Sequence, residues 1–263
     1  MRQFFSDIRK YYNYEVRSAK SQLKAEVAGS YLNWIWWILT PLFEMVIYYV
    51  VFGYIFKSKE PNFIAFIFVG LTMWGFFNKT VRQSVNLIKR NKAIVKKVYV
   101  PKHILLMSNI MVNGFKMMIS WVLLVLMLLM IHVDLTWYVF AAIPIMLVLF
   151  IFTFGVALNM MHYGVIVEDL SNVTDLVLRL WFFLSGIFYS IESKLGESHP
   201  EVADVLTNWN PMALLLHDMR NVLIYGEGPN WIGLLIWGVV GLILAVVVIK
   251  TIYKYVNEYV KLI

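Results

Sequence analysis

At 263 residues, 60% hydrophobic and only 15% charged, the chain has too few charges for a soluble domain, where about a quarter of residues are charged. Its net charge of +7 suits basic loops beside a membrane and does not call for nucleic acid. Without cysteine there are no disulfides, no thiol catalysis and no cysteine-based metal sites. The expectation is an all-α polytopic membrane protein.

Residues 1–29 carry Arg2, Arg9, Lys10, Arg17, Lys20 and Lys24 against Asp7, Glu15 and Glu26. Phe4, Phe5, Ile8, Tyr11, Tyr12 and Val16 recur at spacings of three and four, as on one face of an amphipathic helix. Such a helix lies in the membrane interface or docks on a partner. This opening is polar and basic and lacks the short apolar core of a cleavable signal peptide.

A first span is expected from Tyr31 to Phe56, a short turn over Lys57–Asn62, and a second span from Phe63 to Phe77. The second continues as a more polar helix through Val81, Val85 and Ile88. The connection over 79–102 holds Lys79, Arg82, Lys89, Arg90, Lys92, Lys96, Lys97 and Lys102 and no acid. Basic connections face the cytoplasm, so this one orients the chain. Pro101 ends it, because the residue before a proline is pushed out of helix.

A third span follows over Ile104–Ile131, a turn over His132–Thr136, and a fourth span over Trp137–Val167. Glu168, Asp169 and Asp175 bracket a second inside turn before a fifth span to Tyr189. Residues 191–228 are polar and acidic, which places them outside. Within them Asn210-Pro211 reads as an N-cap and a first-turn proline, opening a helix to Tyr225 that stops at Gly226. Its apolar Met212, Leu215, Leu216, Met219, Val222 and Leu223 suit a helix that dips into the outer leaflet. A sixth span over Trp231–Ile252 and the terminal lysines return the chain inside. Six spans with both termini cytoplasmic form a consistent topology.

Ser30-Tyr31-Leu32-Asn33-Trp34-Ile35-Trp36-Trp37-Ile38-Leu39-Thr40-Pro41-Leu42, followed by Tyr48-Tyr49-Val50-Val51-Phe52-Gly53, resembles the first span of ABC-2 type permeases. These are the membrane subunits of exporters of polysaccharide, O-antigen, capsule and teichoic acid. Lys96-Lys97-Val98-Tyr99-Val100-Pro101 with Ser108 is similar to that family's coupling segment, and Asn210-Pro211 with Arg220 and Leu223 to its re-entrant outside helices between spans five and six. The resemblance covers essentially the whole chain as one permease domain, 1–263. Asn33, Glu168 and Gly186 depart from the family's usual Gly, Arg and Pro, which bears on subfamily and hence on substrate.

The resemblance implies a homodimer of permeases with two separate ATPase subunits in a bacterial cytoplasmic membrane. It implies a lipid-linked glycan or polyol-phosphate polymer as cargo. The chain holds no GxxxxGK[ST] phosphate loop, so no cofactor is expected here; ATP and Mg would be bound by the partner. The alternatives are a drug or small-lipid exporter of the same superfamily and, in a different class, a membrane-embedded acyl- or glycosyltransferase. His199 and Asp204 have the H-x4-D spacing of such a transferase, without a companion motif. His103, His162 and His217 lack a second ligand at helical spacing, so no metal site is expected.

Within this frame Lys92, Lys96, Lys97, Val98, Tyr99 and Pro101 are the expected coupling residues. Tyr31, Trp34, Trp36, Trp37, Trp181, Phe183 and Phe188 are the expected channel residues, since sugar rings stack on aromatic planes; an interfacial aromatic belt is the competing reading. Glu44 and Lys116, ionisable groups at matched depth in spans one and three, are expected either to pair or to face water separately.

Overall fold

The computed structural model describes residues 2–254 except 30, 59, 98, 99, 135 and 197, and every regular element among them is helical. Helix α1 (Arg2–Val27) is followed by a 3-10 turn (Asn33–Ile35), α2 (Trp36–Tyr48) and a π-helical stretch (Tyr49–Ile55). Then come α3 (Phe63–Val85), the short α4 (Leu87–Arg90) and α5 (Lys92–Lys97), and the long α6 (Lys102–Met130). A 3-10 turn (Trp137–Ala141) leads into α7 (Ala142–Ile166) and then α8 (Leu170–Leu184). Three short helices follow, α9 (Ile191–Leu195), α10 (Pro200–Asn208) and α11 (Pro211–Arg220), then a π turn (Asn221–Tyr225) and α12 (Trp231–Lys254).

Five segments are long and apolar enough to cross a membrane: Asn33–Ile55, Phe63–Val85, Lys102–Met130, Trp137–Ile166 and Trp231–Lys254. They match the expected spans one, two, three, four and six to within a few residues. The expected fifth span is different. Helix α8 has 15 residues, about 22 Å at 1.5 Å per residue, short of a hydrocarbon core of about 30 Å. It breaks at Ser185-Gly186, where Gly186 has φ +64° and Ser185 turns its hydroxyl back onto Trp181 O at 2.8 Å. The apolar run to Tyr189 hid this break.

Helix α3 is the hub, with seventeen of its 23 residues buried from Phe63 to Val85. It packs against α2, α6, α7, α8 and α11. Helices α7 and α12 meet backbone to backbone: a Cβ on Gly155 would sit 2.5 Å from Gly241 O and one on Gly241 2.8 Å from Phe152 Cα. Larger residues there would force the two backbones apart.

Helix α1 lies along α6 and buries Phe4, Glu15 and Ala19. The stripe facing inward is Phe4, Ile8, Tyr11, Glu15 and Ala19, at helical spacing; Phe5 and Tyr12 fall on its edge and stay exposed. Tyr253 of α12 donates to Asp7 Oδ2 at 2.5 Å, and His103 packs its ring on Phe4 at 4.9 Å. The apolar face of α1 is therefore used within the chain. Burial without a partner for Oε1 pushes the Glu15 carboxyl up from 4.5 to about 7.

Candidate functional site

One cavity of about 920 Å3 opens beside α3, walled by α2, α6, α8 and the end of α1. Helix α2 contributes Trp36, Trp37, Thr40, Pro41, Glu44 and Tyr48, and the preceding turn adds Asn33. Pro41 has no N–H to give to the Trp37 carbonyl four residues back, so one bond of the helical ladder is missing on this wall. Helix α3 contributes Trp74, Lys79 and Arg82; α6 contributes Asn113, Lys116 and Ser120; α8 contributes Leu178, Arg179, Phe182 and Phe183.

Polar bonds hold these walls in place. Asn113 Nδ2 reaches Thr80 Oγ1 at 3.1 Å and Gln83 Oε1 at 3.0 Å, joining α6 to α3. Arg82 Nε meets Asp175 Oδ1 at 2.9 Å, joining α3 to α8, and Asn86 Nδ2 reaches Ser171 Oγ at 3.3 Å. Lys116 Nζ pairs with Glu26 Oε2, joining α6 to the end of α1. The expected Glu44–Lys116 pair is therefore not formed. The chain returns Glu26 to the depth of Lys116 by laying α1 along α6, which spacing within the spans could not reveal. Glu44 stays exposed in the cavity, and Lys79 is the cation acting on it.

The structure separates the aromatic candidates. Trp36, Trp37 and Phe183 line the cavity. Tyr31 and Trp34 are exposed at the approach to α2 and lie outside its lining. Trp181 is turned away, its indole N–H donating to Asn210 Oδ1 at 2.7 Å and its ring set edge-on to Phe77 at 5.1 Å. Phe188 is buried, stacked on Phe52 at 4.4 Å with the planes 1° apart. Trp181 lies on the face of α8 packed against Phe77 of α3 and Phe152 of α7, and Phe188 follows the break, which folds the chain back into the core.

Asn210 and Arg220 help tie the region after that break to the core, beside the buried apolar residues of α11. Asn210 Oδ1 accepts from Met212 N and Ala213 N at 3.1 and 3.3 Å, capping α11 as expected with Pro211 in its first turn. Arg220 donates to Phe66 O, Gly186 O and Ile187 O at 3.2, 2.9 and 3.0 Å, with its guanidinium 3.4 Å from the centre of the Phe66 ring. A Cβ on Gly70 would lie 2.8 Å from Arg220 Nη2, so the glycine makes the room. Gly226, with φ +69°, ends the helical run where expected.

Lys92 and Lys96 are exposed on α5, Lys97 closes that helix, and Pro101 is buried at the start of α6. Val98 and Tyr99 lie outside the described residues. Asp204 accepts from Asn208 Nδ2 at 2.6 Å instead of orienting His199, which precedes α10. The sequence reading missed Lys79 as a cavity residue, along with Arg179 and Tyr48. Arg179 carried a signal, a lone cation between Leu178 and Leu180 in an apolar run. The others are ordinary interfacial residue types until the packing is known.

Several apolar helices long enough to cross a membrane, with a cavity of aromatic and charged side chains between them, define a multi-pass membrane protein. The ABC-2 type transporter family matches residues 19–224, and the chain belongs to that family. It is 25% identical over 226 residues, 85% of this chain and 86% of the relative, to the O-antigen export system permease protein RfbA of Myxococcus xanthus. It is 26% identical over 207 residues, 78% of this chain and 77% of the relative, to the O-antigen export system permease protein RfbA of Klebsiella pneumoniae.

Proposed function

We propose that this chain is the permease subunit of an ATP-driven exporter that moves a lipid-linked cell-surface polysaccharide across the bacterial cytoplasmic membrane. The carrying observation is the cavity, with Trp36, Trp37, Trp74, Phe182 and Phe183 on its walls. Aromatic planes hold the C–H faces of sugars without fixing one register, so a polymer can slide past them. The names of the O-antigen relatives support the same cargo class.

One copy leaves α2 without a buried residue and α8 with only Thr174 and Leu178 buried. In this reading a second copy closes the conduit against those helices. Helix α8 with α9–α11 makes the fifth crossing, its outer part re-entrant, and both termini are cytoplasmic. Separate ATPase subunits bind ATP and Mg and dock on α5 and the connection through Val98, Tyr99 and Pro101.

The chain has no cysteine, so single cysteines report accessibility cleanly. Trp36→Cys reacts with a water-soluble thiol reagent when the complex is reconstituted and driven by ATP. Trp36→Ala lowers export about two- to tenfold, as the loss of a stacking contact worth about 0.5–1.5 kcal/mol requires, with dimerisation and basal ATPase activity retained. A Trp36→Cys variant that stays unlabelled in both resting and driven states removes this residue from the path.

A further inference from the structure

Helix α1 presents three faces, which follow one another around its axis. At about 100° per residue, Phe4, Ile8, Tyr11, Glu15 and Ala19 fall within about 80° of arc and turn inward on α6. Phe5, Tyr12, Val16 and Leu23 come next, within about 40°. Phe5 and Tyr12 are 64% and 56% exposed, and the other two are half-buried. Arg9, Lys10, Arg17, Lys20 and Lys24 fill about the following 100°, all of them exposed.

The acids of α1 are all spent on its inward side. Asp7 accepts from Tyr253 of α12, Glu15 is buried, and Glu26 pairs with Lys116. Among the described residues no carboxylate forms an ion pair with any of the five cations; Lys10 lies 5.4 Å over the Tyr11 ring. A protein partner would have to match five charges spread along the helix. A leaflet of acidic phospholipid supplies negative charge at any spacing, and the aromatic strip beside the cations suits acyl carbon. The level of the helix agrees. Phe4 packs on His103 at the start of α6, and Asp7 bonds Tyr253 at the end of α12, so α1 begins where two spans end.

We infer that the outer flank of α1 reads headgroup charge: Arg9, Lys10, Arg17, Lys20 and Lys24 bind acidic phospholipid of the inner leaflet while Phe5, Tyr12, Val16 and Leu23 seat beside its acyl chains. The inference goes beyond the export reading and takes from it only that these span ends are cytoplasmic. It has a consequence for the cavity. The end of α1 reaches the cavity wall with Glu26 and Val27, so acidic lipid held along the basic flank also steadies that wall.

The test uses the full-length permease in lipid nanodiscs of phosphatidylcholine alone or with about a third phosphatidylglycerol. Tyr12→Cys on the aromatic strip and Ser21→Cys beyond the far edge of the basic flank are each labelled with a water-soluble maleimide. The Tyr12→Cys thiol is expected to react about fivefold or more slowly in the acidic discs, the effect of about one cation at a charged surface. Salt at about 1 M should remove that difference, and Ser21→Cys should react alike in both lipids. Replacing Arg17, Lys20 and Lys24 together by Gln should also remove it, whereas Arg17→Lys should keep it, because charge is read and shape is not. Unchanged thermal unfolding in detergent confirms that the triple variant is folded; if it is not, the salt titration of the Tyr12→Cys chain decides alone. Equal labelling of Tyr12→Cys in the two lipids, or a difference that survives both salt and the triple substitution, overturns the inference. Protection that appears only with the ATPase subunits present, in either lipid, gives the flank to a protein and overturns it too. Thiol labelling at Trp36 reports the path separately, so either reading can fail alone.

Discussion

Helices α2 and α3 stand side by side, and each belongs to a 23-residue segment able to cross a membrane. Yet α3 is the core of the fold, whereas α2 buries no residue at all. Along α3 the large side chains Phe66, Phe68, Met73 and Phe77 are almost fully enclosed, and along α2 Phe43, Val46 and Ile47 are open. Hydropathy measures the preference for leaving water, and lipid satisfies that preference as well as protein does. The difference teaches that α2 is held by few contacts within one copy, and its cavity-facing side is free to serve transport.

The contrast is broken most strongly by matched truncations. Phe68→Ala on α3 should cost about 3–5 kcal/mol of stability in detergent, the usual loss for a buried phenylalanine. Phe43→Ala on α2 should stay within about 0.5 kcal/mol, as at other exposed positions, while weakening self-association in the membrane. Thermal unfolding and cross-linking of the two variants separate these effects; equal destabilisation would mean that α2 is packed as tightly as α3.

The next effect concerns α1, the third kind of environment. Glu15 has its carboxyl raised from 4.5 to about 7 by burial. Between those values the folded chain holds a proton that the unfolded chain has released. Stability therefore falls as pH rises from 4.5 to 7 and remains lower above it. Glu15→Gln should change little near pH 4.5 and stabilise at pH 8 by up to roughly 3 kcal/mol. Unfolding midpoints measured across that range check the sign, and a parallel pH profile for both proteins would contradict it.

The smallest expected effect sharpens how α1 is fixed beside α6. A double-mutant cycle on Glu26→Gln and Lys116→Met should show a coupling of about 0.5–1 kcal/mol, as for a partly exposed ion pair. The same cycle on Glu44→Gln and Lys116→Met should be additive. Coupling between Glu44 and Lys116 as large as that with Glu26 would contradict the pairing seen here.

The sequence by itself determined five crossings, the basic connection between α3 and α6, and the capped helix at Asn210-Pro211. Each of these is local: a run of apolar residues, a cluster of charge, or a cap within three residues of its acceptor. The resemblance of the Tyr31–Leu42 run and of the segment before Pro101 also led to the family. Other features depend on residues far apart in the chain, and only the tertiary structure decided them. Glu26 meets Lys116 across 90 positions, and Arg220 reaches Phe66 across 154. Trp181 and Phe183 are two residues apart, yet one bonds Asn210 in the core and the other lines the cavity. Composition treats them alike. Both lie in α8, where two residues are about 200° apart around the axis, so they face opposite sides, and the elements packed against α8 decide which side meets the core.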